Sequence, residues 1–303
     1  MLYYLILDRA QYYVAHFATL KNKFKIIYLN LLIHIGTLKT LFIMNIIKPF
    51  YYSILFVLLS FTISCGGSSK NNVDALTLRV GSYNIHNAVG MDNKLNFDRI
   101  AQVIDNMEVE AIAIQELDSA TERSNGLVVL DELAKRTNMV GTFNASIEFS
   151  GGKYGNGILT KKQPLSKEAI ALPGCEEQRS LLIVEMGEYV LCCTHLSLTE
   201  EDRMESMKLI QQHTDKYKDK PVILAGDLNA LPSSDEIQYL SNHWIMLSDS
   251  TVGTFPSDNP DRVIDYIFLK SNSHFTPTVK NAQVVNEPVA SDHRPLWVEV
   301  SIK

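Results

Sequence analysis

The stretch Leu224–Glu236, LAGDLNALPSSDE, ends a short apolar run, Val222–Ala225, in an acid and an amide, Asp227 and Asn229. Local chemistry offers one reading. Gly226 permits a turn, Asp and Asn suit turns, and Ser233 with Glu236 starts a helix as a capping box. The other reading is that a rigid strand end holds two polar groups over a site. The rest of the chain favours the second, because the pattern recurs. Asn84, Glu116 and His195 each close an apolar run, while Asp265 and His293 stand at or just before the start of one. In mixed sheets the starts of some strands share an edge with the ends of their neighbours, so these residues can converge on one rim.

The intervening sequence supplies the scaffold. ALTLRVGSYNI alternates Leu76, Leu78 and Val80 with polar neighbours, a half-buried strand ending at Asn84. FDRIAQVIDNM places Ile100, Val103, Ile104 and Met107 on one helical face, and EAIAIQELD is a strand ending at Glu116. Asn125–Arg136 reads as a helix, YGNGILT as a strand, and Ser180–Met186 with Tyr189–Thr194 as a hairpin around Gly187. Thr199–Tyr217 reads as an amphipathic helix with a Thr199/Asp202 start signal, and PLWVEVSI puts Leu296, Val298, Val300 and Ile302 on one strand face. The expectation is one α/β domain of roughly 230 residues. Cys175, Cys192 and Cys193 lack zinc spacing, and adjacent strand residues point to opposite faces, so buried free thiols are expected.

In order, SYNIH (82–86), IQELD (114–118), YGNGIL (154–159), THLS (194–197), GDLNA (226–230), DYIF (265–268) and SDHRP (291–295) resemble the motifs of the endonuclease/exonuclease/phosphatase superfamily. Its members include deoxyribonuclease I-like nucleases, neutral sphingomyelinases and inositol polyphosphate phosphatases. The resemblance covers residues 76–302 and implies a four-layered α/β sandwich, two mixed β-sheets packed face to face with helices outside.

The implied chemistry is metal-dependent hydrolysis of a phosphate ester. The site must neutralise the ester's charge, deprotonate water and protonate the leaving oxygen. By the resemblance, Glu116 leads a Mg²⁺ site, Mn²⁺ being a substitute, with Asn84 and Asp292 near it. His293, oriented by Asp265, is either the general base or the phosphate's charge partner, and Asp227 with Asn229 positions or activates the water. His195, Arg179 and His86 face phosphate oxygens, although Arg179 also fits a surface ion pair and His86 a packed, hydrogen-bonded histidine. Many nucleases of the superfamily carry an acid where this chain has His86, which weighs against a carboxylate-rich or second metal site. A non-catalytic binding protein of the same fold is disfavoured by the complete acid, amide and histidine set.

Charge narrows the substrate. Residues 65–303 hold 22 basic and 33 acidic residues, a net charge of −11. A duplex-gripping nuclease needs Lys and Arg against successive phosphates. Near the motifs stand only Arg123, Lys153, Arg179, Arg262 and Arg294, so a compact phosphorylated substrate (a lipid headgroup, sugar phosphate or nucleotide) is expected over DNA or RNA. The rim selecting it is expected at Asp118–Gly126, Asn144–Asn156 and Thr251–Arg262, and a monomer is expected.

The N-terminal part differs in kind. Residues 1–64 carry six Lys and Arg against one acid, and Phe50–Ile63 is an apolar run of 14 residues ahead of Ser64, Cys65 and a Gly/Ser/Asn tail. That length suits a signal-peptide core better than a bilayer span. The arrangement resembles a bacterial lipoprotein signal. An ordinary cleaved signal and an uncleaved anchor are the alternatives. The expected organisation is an extended start (1–43) absent from the mature protein, a signal peptide (44–64), a flexible tether (65–75) and a catalytic domain (76–303). The location is then the cell envelope, on the periplasmic side or the cell surface. Mass spectrometry of membrane fractions should find a chain beginning at a lipidated Cys65, and Cys65→Ser should release or mislocalise it. Peptides from residues 1–43 in the mature protein would overturn this organisation.

Overall fold

The central strands are short apolar runs buried on both faces, and the alternation of their side chains decides which layer each one meets. The computed structural model describes residues 75–303 apart from Ser273, together with Lys25, Asn30 and Ile33, which are exposed and helical. The extended start, the signal, the tether and Cys65 lie outside the described residues. Residues 1–72 and 73–303 form separate units, and every element below belongs to the second. No helix among the described residues is long and apolar enough to cross a membrane.

The strands of the first sheet are β1 (Leu76–Asn84), β2 (Ala111–Ser119), β3 (Val140–Phe149), β4 (Gly152–Thr160), β11 (Pro277–Val284) and β12 (Leu296–Ile302), ordered β11-β12-β1-β2-β4-β3. Those of the second are β5 (Ser166–Leu172), β6 (Arg179–Glu185), β7 (Val190–His195), β8 (Val222–Asp227), β9 (Trp244–Met246) and β10 (Asp265–Lys270), ordered β5-β6-β7-β8-β10-β9. Both sheets are mixed, since β1 with β2 and β7 with β8 run parallel. Leu78, Val80, Ala113 and Val300 of one sheet meet Leu191, Cys193, Ala225 and Ile267 of the other in an apolar core between the sheets. On the outer face of the first sheet lie α1 (Phe97–Met107) and α2 (Val129–Thr137), through Ile100, Ile104 and Leu133. On the outer face of the second lie α3 (Glu200–Thr214) and α4 (Asp235–Ser241), through Met207, Ile210 and Ile237. The four-layered sandwich is therefore present. Cys193 faces the inter-sheet core and Cys192 the helical side, as alternation requires, and both are buried.

Several local expectations are corrected. Helix α2 begins at Val129 rather than Asn125, because Asn125 and Gly126 adopt left-handed φ of 56° and 73° and form a turn. Strand β2 continues past Glu116 to Ser119 through a bulge. Cys175 is exposed rather than buried, in the loop before β6. The capping box at Ser233 is absent. Ser234 is the N-cap of α4 without a side-chain bond, and the Glu236 carboxylate is buried against Arg203 instead.

Gly226 is not a turn residue either. It lies within β8, where a Cβ would stand 2.0 Å from the Thr194 carbonyl oxygen of β7. Glycine there allows β7 and β8 to approach beside the residues that end them. Gly226→Ala should cost more than ~2 kcal/mol, since the clash is with backbone rather than a movable side chain, as measured by denaturant unfolding.

Candidate active site

Register brings the polar strand ends together. Parallel pairing sets His195, the last residue of β7, beside Asp227, the last residue of β8. Because β10 is antiparallel to β8, its first residue, Asp265, pairs with Asp227 from the other side. The result is a row, His195–Asp227–Asp265, across one rim of the second sheet. The first sheet contributes Asn84 from the end of β1, in register with Gln115 of β2.

Glu116 reaches the rim through the bulge. Gln115 and Glu116 together oppose the single Asn156 of β4, and Glu116 adopts φ of 61°. The extra residue lets Gln115 turn inward toward the Cys193 thiol while Glu116 stands half-exposed at the sheet end. A left-handed glutamate is strained, and such strain persists where surrounding structure holds it.

The two sheets are joined at the rim by hydrogen bonds. Asn84 Nδ2 donates to Glu116 Oε1 and to Asp227 Oδ2, both at 3.0 Å, and lies 3.4 Å from His293 Nε2. The backbone N–H of Asn229, itself left-handed at φ 47°, donates to Asp227 Oδ1 at 3.0 Å, and the Asn229 amide donates to the Leu196 carbonyl. His293 Nδ1 meets Asp265 Oδ2 at 2.9 Å, and Nε2 is 3.6 Å from Asp227 Oδ2. His195 Nε2 is 3.5 Å from the same oxygen. The Phe255 ring packs on His293 with centroids 4.7 Å apart.

The remaining expected residues are placed less centrally. Asp292 is half-buried beside His293, with Oδ1 3.3 Å from the Ser291 hydroxyl. Arg179 is buried, and its guanidinium bonds Glu177 at 3.0 Å and Glu176 at 3.2 Å, with Nε lacking a partner among the described residues. The His86 ring bonds the Val89 carbonyl, and only its backbone N–H touches the cluster, donating to Asn84 Oδ1 at 3.1 Å. Residues the sequence reading did not single out complete the support. Ser291 Oγ donates to the Asn84 carbonyl at 2.8 Å, and Asn156 Nδ2 donates across the sheets to the Ser180 carbonyl at 3.1 Å. The motifs YGNGIL and SDHRP contained both residues; the signal available was their position within those motifs.

Residues 81–293 match the model of the Endonuclease/Exonuclease/phosphatase family. This chain belongs to that family. Solved structures agree on the fold. An endonuclease/exonuclease/phosphatase from Beutenbergia cavernae DSM 12333 is 23% identical, with 75% of this chain and 72% of that one covered at a TM-score of 0.63. A mannosyl-6-phosphatase of Bacteroides thetaiotaomicron VPI-5482 is 19% identical, covering 74% and 99% at 0.59. The catalytic domain of human Nocturnin, with bound sulfate, is 18% identical, covering 75% and 95% at 0.57. No curated protein matches the chain. Family members are phosphoric ester hydrolases and generally depend on a divalent metal.

The residues present fit a divalent cation. Glu116, Asp227, Asp265 and Asp292 gather four carboxylates at one rim, while Arg179 is taken up by its own two glutamates. Asp265 Oδ1 is buried without a partner, and no described group donates to the second oxygen of Glu116. The Asp227 and Asp265 carboxylates lie within 4.8 Å of each other. Uncompensated, mostly oxygen donors are what a hard cation takes.

The two histidines are driven apart in charge. Burial alone would lower both. At His293 the carboxylates of Asp265 and Asp227 overcome it and hold the ring up at about 10. At His195 burial prevails over Asp227, with Arg179 and His293 adding repulsion, and the ring is held down at about 4. Burial and the neighbouring Asp265 raise Asp227, against the pull of both histidines. His293 is thus charged and His195 neutral near pH 7. Linkage gives each a sign. From about 4 to 6.5 the unfolded chain binds more protons at His195, so stability rises with pH there. From 6.5 to about 10 the folded chain binds more at His293, so its contribution is full below 6.5 and lost on rising through 10. Denaturant midpoints measured across pH should show His195→Gln flattening the acid limb and His293→Gln the alkaline limb. Unchanged limbs would contradict these charge states.

Proposed function

We propose that the protein is a Mg²⁺-dependent hydrolase of a compact phosphate ester, with Mn²⁺ able to substitute. The supporting observation is that four of the five cations around the rim are already paired with carboxylates, while Arg294 donates its Nε to the Ser257 carbonyl. Arg123 is bonded to Asp118, Lys153 to Glu148, Arg179 to Glu176 and Glu177, and Arg262 to Asp261. Little positive charge remains to track a polyanionic backbone, which disfavours DNA and RNA. That a mannosyl-6-phosphatase shares the fold supports a small ester.

Glu116, with Asn84 and Asp292, would hold the ion, which when bound neutralises phosphate charge and acidifies water. Asp227 takes the proton of the attacking water. Its carboxylate is made more basic by burial and by Asp265, and it is fixed by Asn84 and the Asn229 N–H. His293, charged and held by Asp265, is the charge partner of the phosphoryl oxygens rather than the base. His195, uncharged, serves as a hydrogen-bonding group beside Asp227. The enzyme works as a monomer, tethered in the cell envelope through a lipid on Cys65.

Glu116→Gln, Asp227→Asn and His293→Ala should each lower kcat on the order of 10²-fold or more toward p-nitrophenyl phosphate or its diester, with circular dichroism unchanged. EDTA should abolish turnover. Full activity in His293→Ala would refute the assignment. Efficient plasmid nicking at physiological salt, with little turnover of small esters, would refute the substrate class.

A further inference from the structure

Beyond the reacting rim, strand β2 carries a second group of side chains past the bulge at Glu116. Asp118 lies two residues further on, about 7 Å along the strand, the scale of one sugar ring. Asp118 is fully buried and bonds Arg123 through both its oxygens, to Nε at 2.7 Å and Nη2 at 2.9 Å. The fork holds the guanidinium against two rings, its Cζ 4.5 Å from the Phe149 centroid and 5.3 Å from that of Tyr154. Tyr154 pairs with Asp118 across the sheet, and Phe149, 36% exposed, stands at the tip of the β3–β4 hairpin.

What this platform offers is specific. Among the described residues nothing accepts from Arg123 Nη1 and nothing engages the Tyr154 hydroxyl, so both remain as hydrogen-bonding groups beside the partly exposed Phe149 ring. Glu177 lies on the same side, with one oxygen on Arg179 and none of the described groups on the other. The charge of Glu116 acts on Arg123, Tyr154 and Glu177 alike, which places all three next to the reacting rim.

The Arg123–Asp118 pair is neutral as a unit, and the carboxylates of Glu116 and Glu177 beside it repel a further anion. A second phosphate therefore finds no partner here. A ring bearing several hydroxyls does. Its C–H face covers Phe149, and its hydroxyls meet donors on Arg123 and Tyr154 and an acceptor on Glu177. We propose that Phe149, Tyr154 and Arg123 form a subsite for the sugar portion of a sugar phosphate, and so set the leaving group.

The inference rests on the phosphohydrolase reading, and the test separates the two. Wild type, Phe149→Ala and Tyr154→Phe are assayed with Mg²⁺ on hexose 6-phosphates, p-nitrophenyl phosphate and a 5′-nucleotide. The wild type should prefer a hexose phosphate. Each variant should lose on the order of tenfold or more in kcat/KM on it, mostly through KM, with less than about twofold change on p-nitrophenyl phosphate. Equal losses on both esters, no loss on either, or a preference for the nucleotide would overturn the sugar subsite alone. No turnover of any ester by the wild type would overturn the phosphohydrolase reading and the subsite with it.

Discussion

The Asn84–Asp227 hydrogen bond joins the two sheets at the rim where the candidate site residues gather. Asp227 is 1% exposed, so its charge must be solvated by protein groups rather than water. One of those groups is an amide on the opposite sheet, at 3.0 Å. The sandwich can satisfy this only if the sheets close tightly at that rim. Small residues in the inter-sheet core, Ala111, Ala113, Ala225 and Cys193, permit the approach, and Gly226 lets β7 and β8 close beside it. Asn156, bonded to Ser180, and Ser291, bonded to Asn84, brace the same edge. Core packing and site geometry are therefore one constraint.

That constraint carries an electrostatic consequence. Four carboxylates share a rim with one charged histidine, an arrangement unfavourable by itself that a divalent cation would offset. Arg123 and Arg179 do not relieve it, since each is held by carboxylates of its own. The rim is thus acidic, as a site that would hold a divalent cation must be.

Part of the backbone strain lies at the same place. His86, Asn87, Ala88, Glu116 and Asn229 all have positive φ, and lie just after Asn84, in the bulge of β2 or just after Asp227. Only Asn tolerates that region easily. The helix-backed outer faces, with Ile100, Ile104, Met207 and Ile210 buried, supply the rigid packing that holds such conformations.

Alternation and helical periodicity in the sequence determined the α/β class, most strands, helix α1 and the opposite faces of Cys192 and Cys193, because these depend on neighbours along the chain. Polar residues at the ends of apolar runs likewise marked Asn84, Glu116, His195, Asp227, Asp265 and His293 as candidates. The tertiary structure decided the rest, because it depends on partners far apart in sequence. It set the bulge that turns Glu116 outward against Asn156, and it closed Gly226 onto Thr194 where local rules read a turn. It also directed Glu236 to Arg203 instead of a helix cap, and gave the Arg179 guanidinium to Glu176 and Glu177. Above all, it fixed different charge states on His195 and His293, the first neutral and the second cationic: both rings are buried at one rim, and only the second is gripped by Asp265.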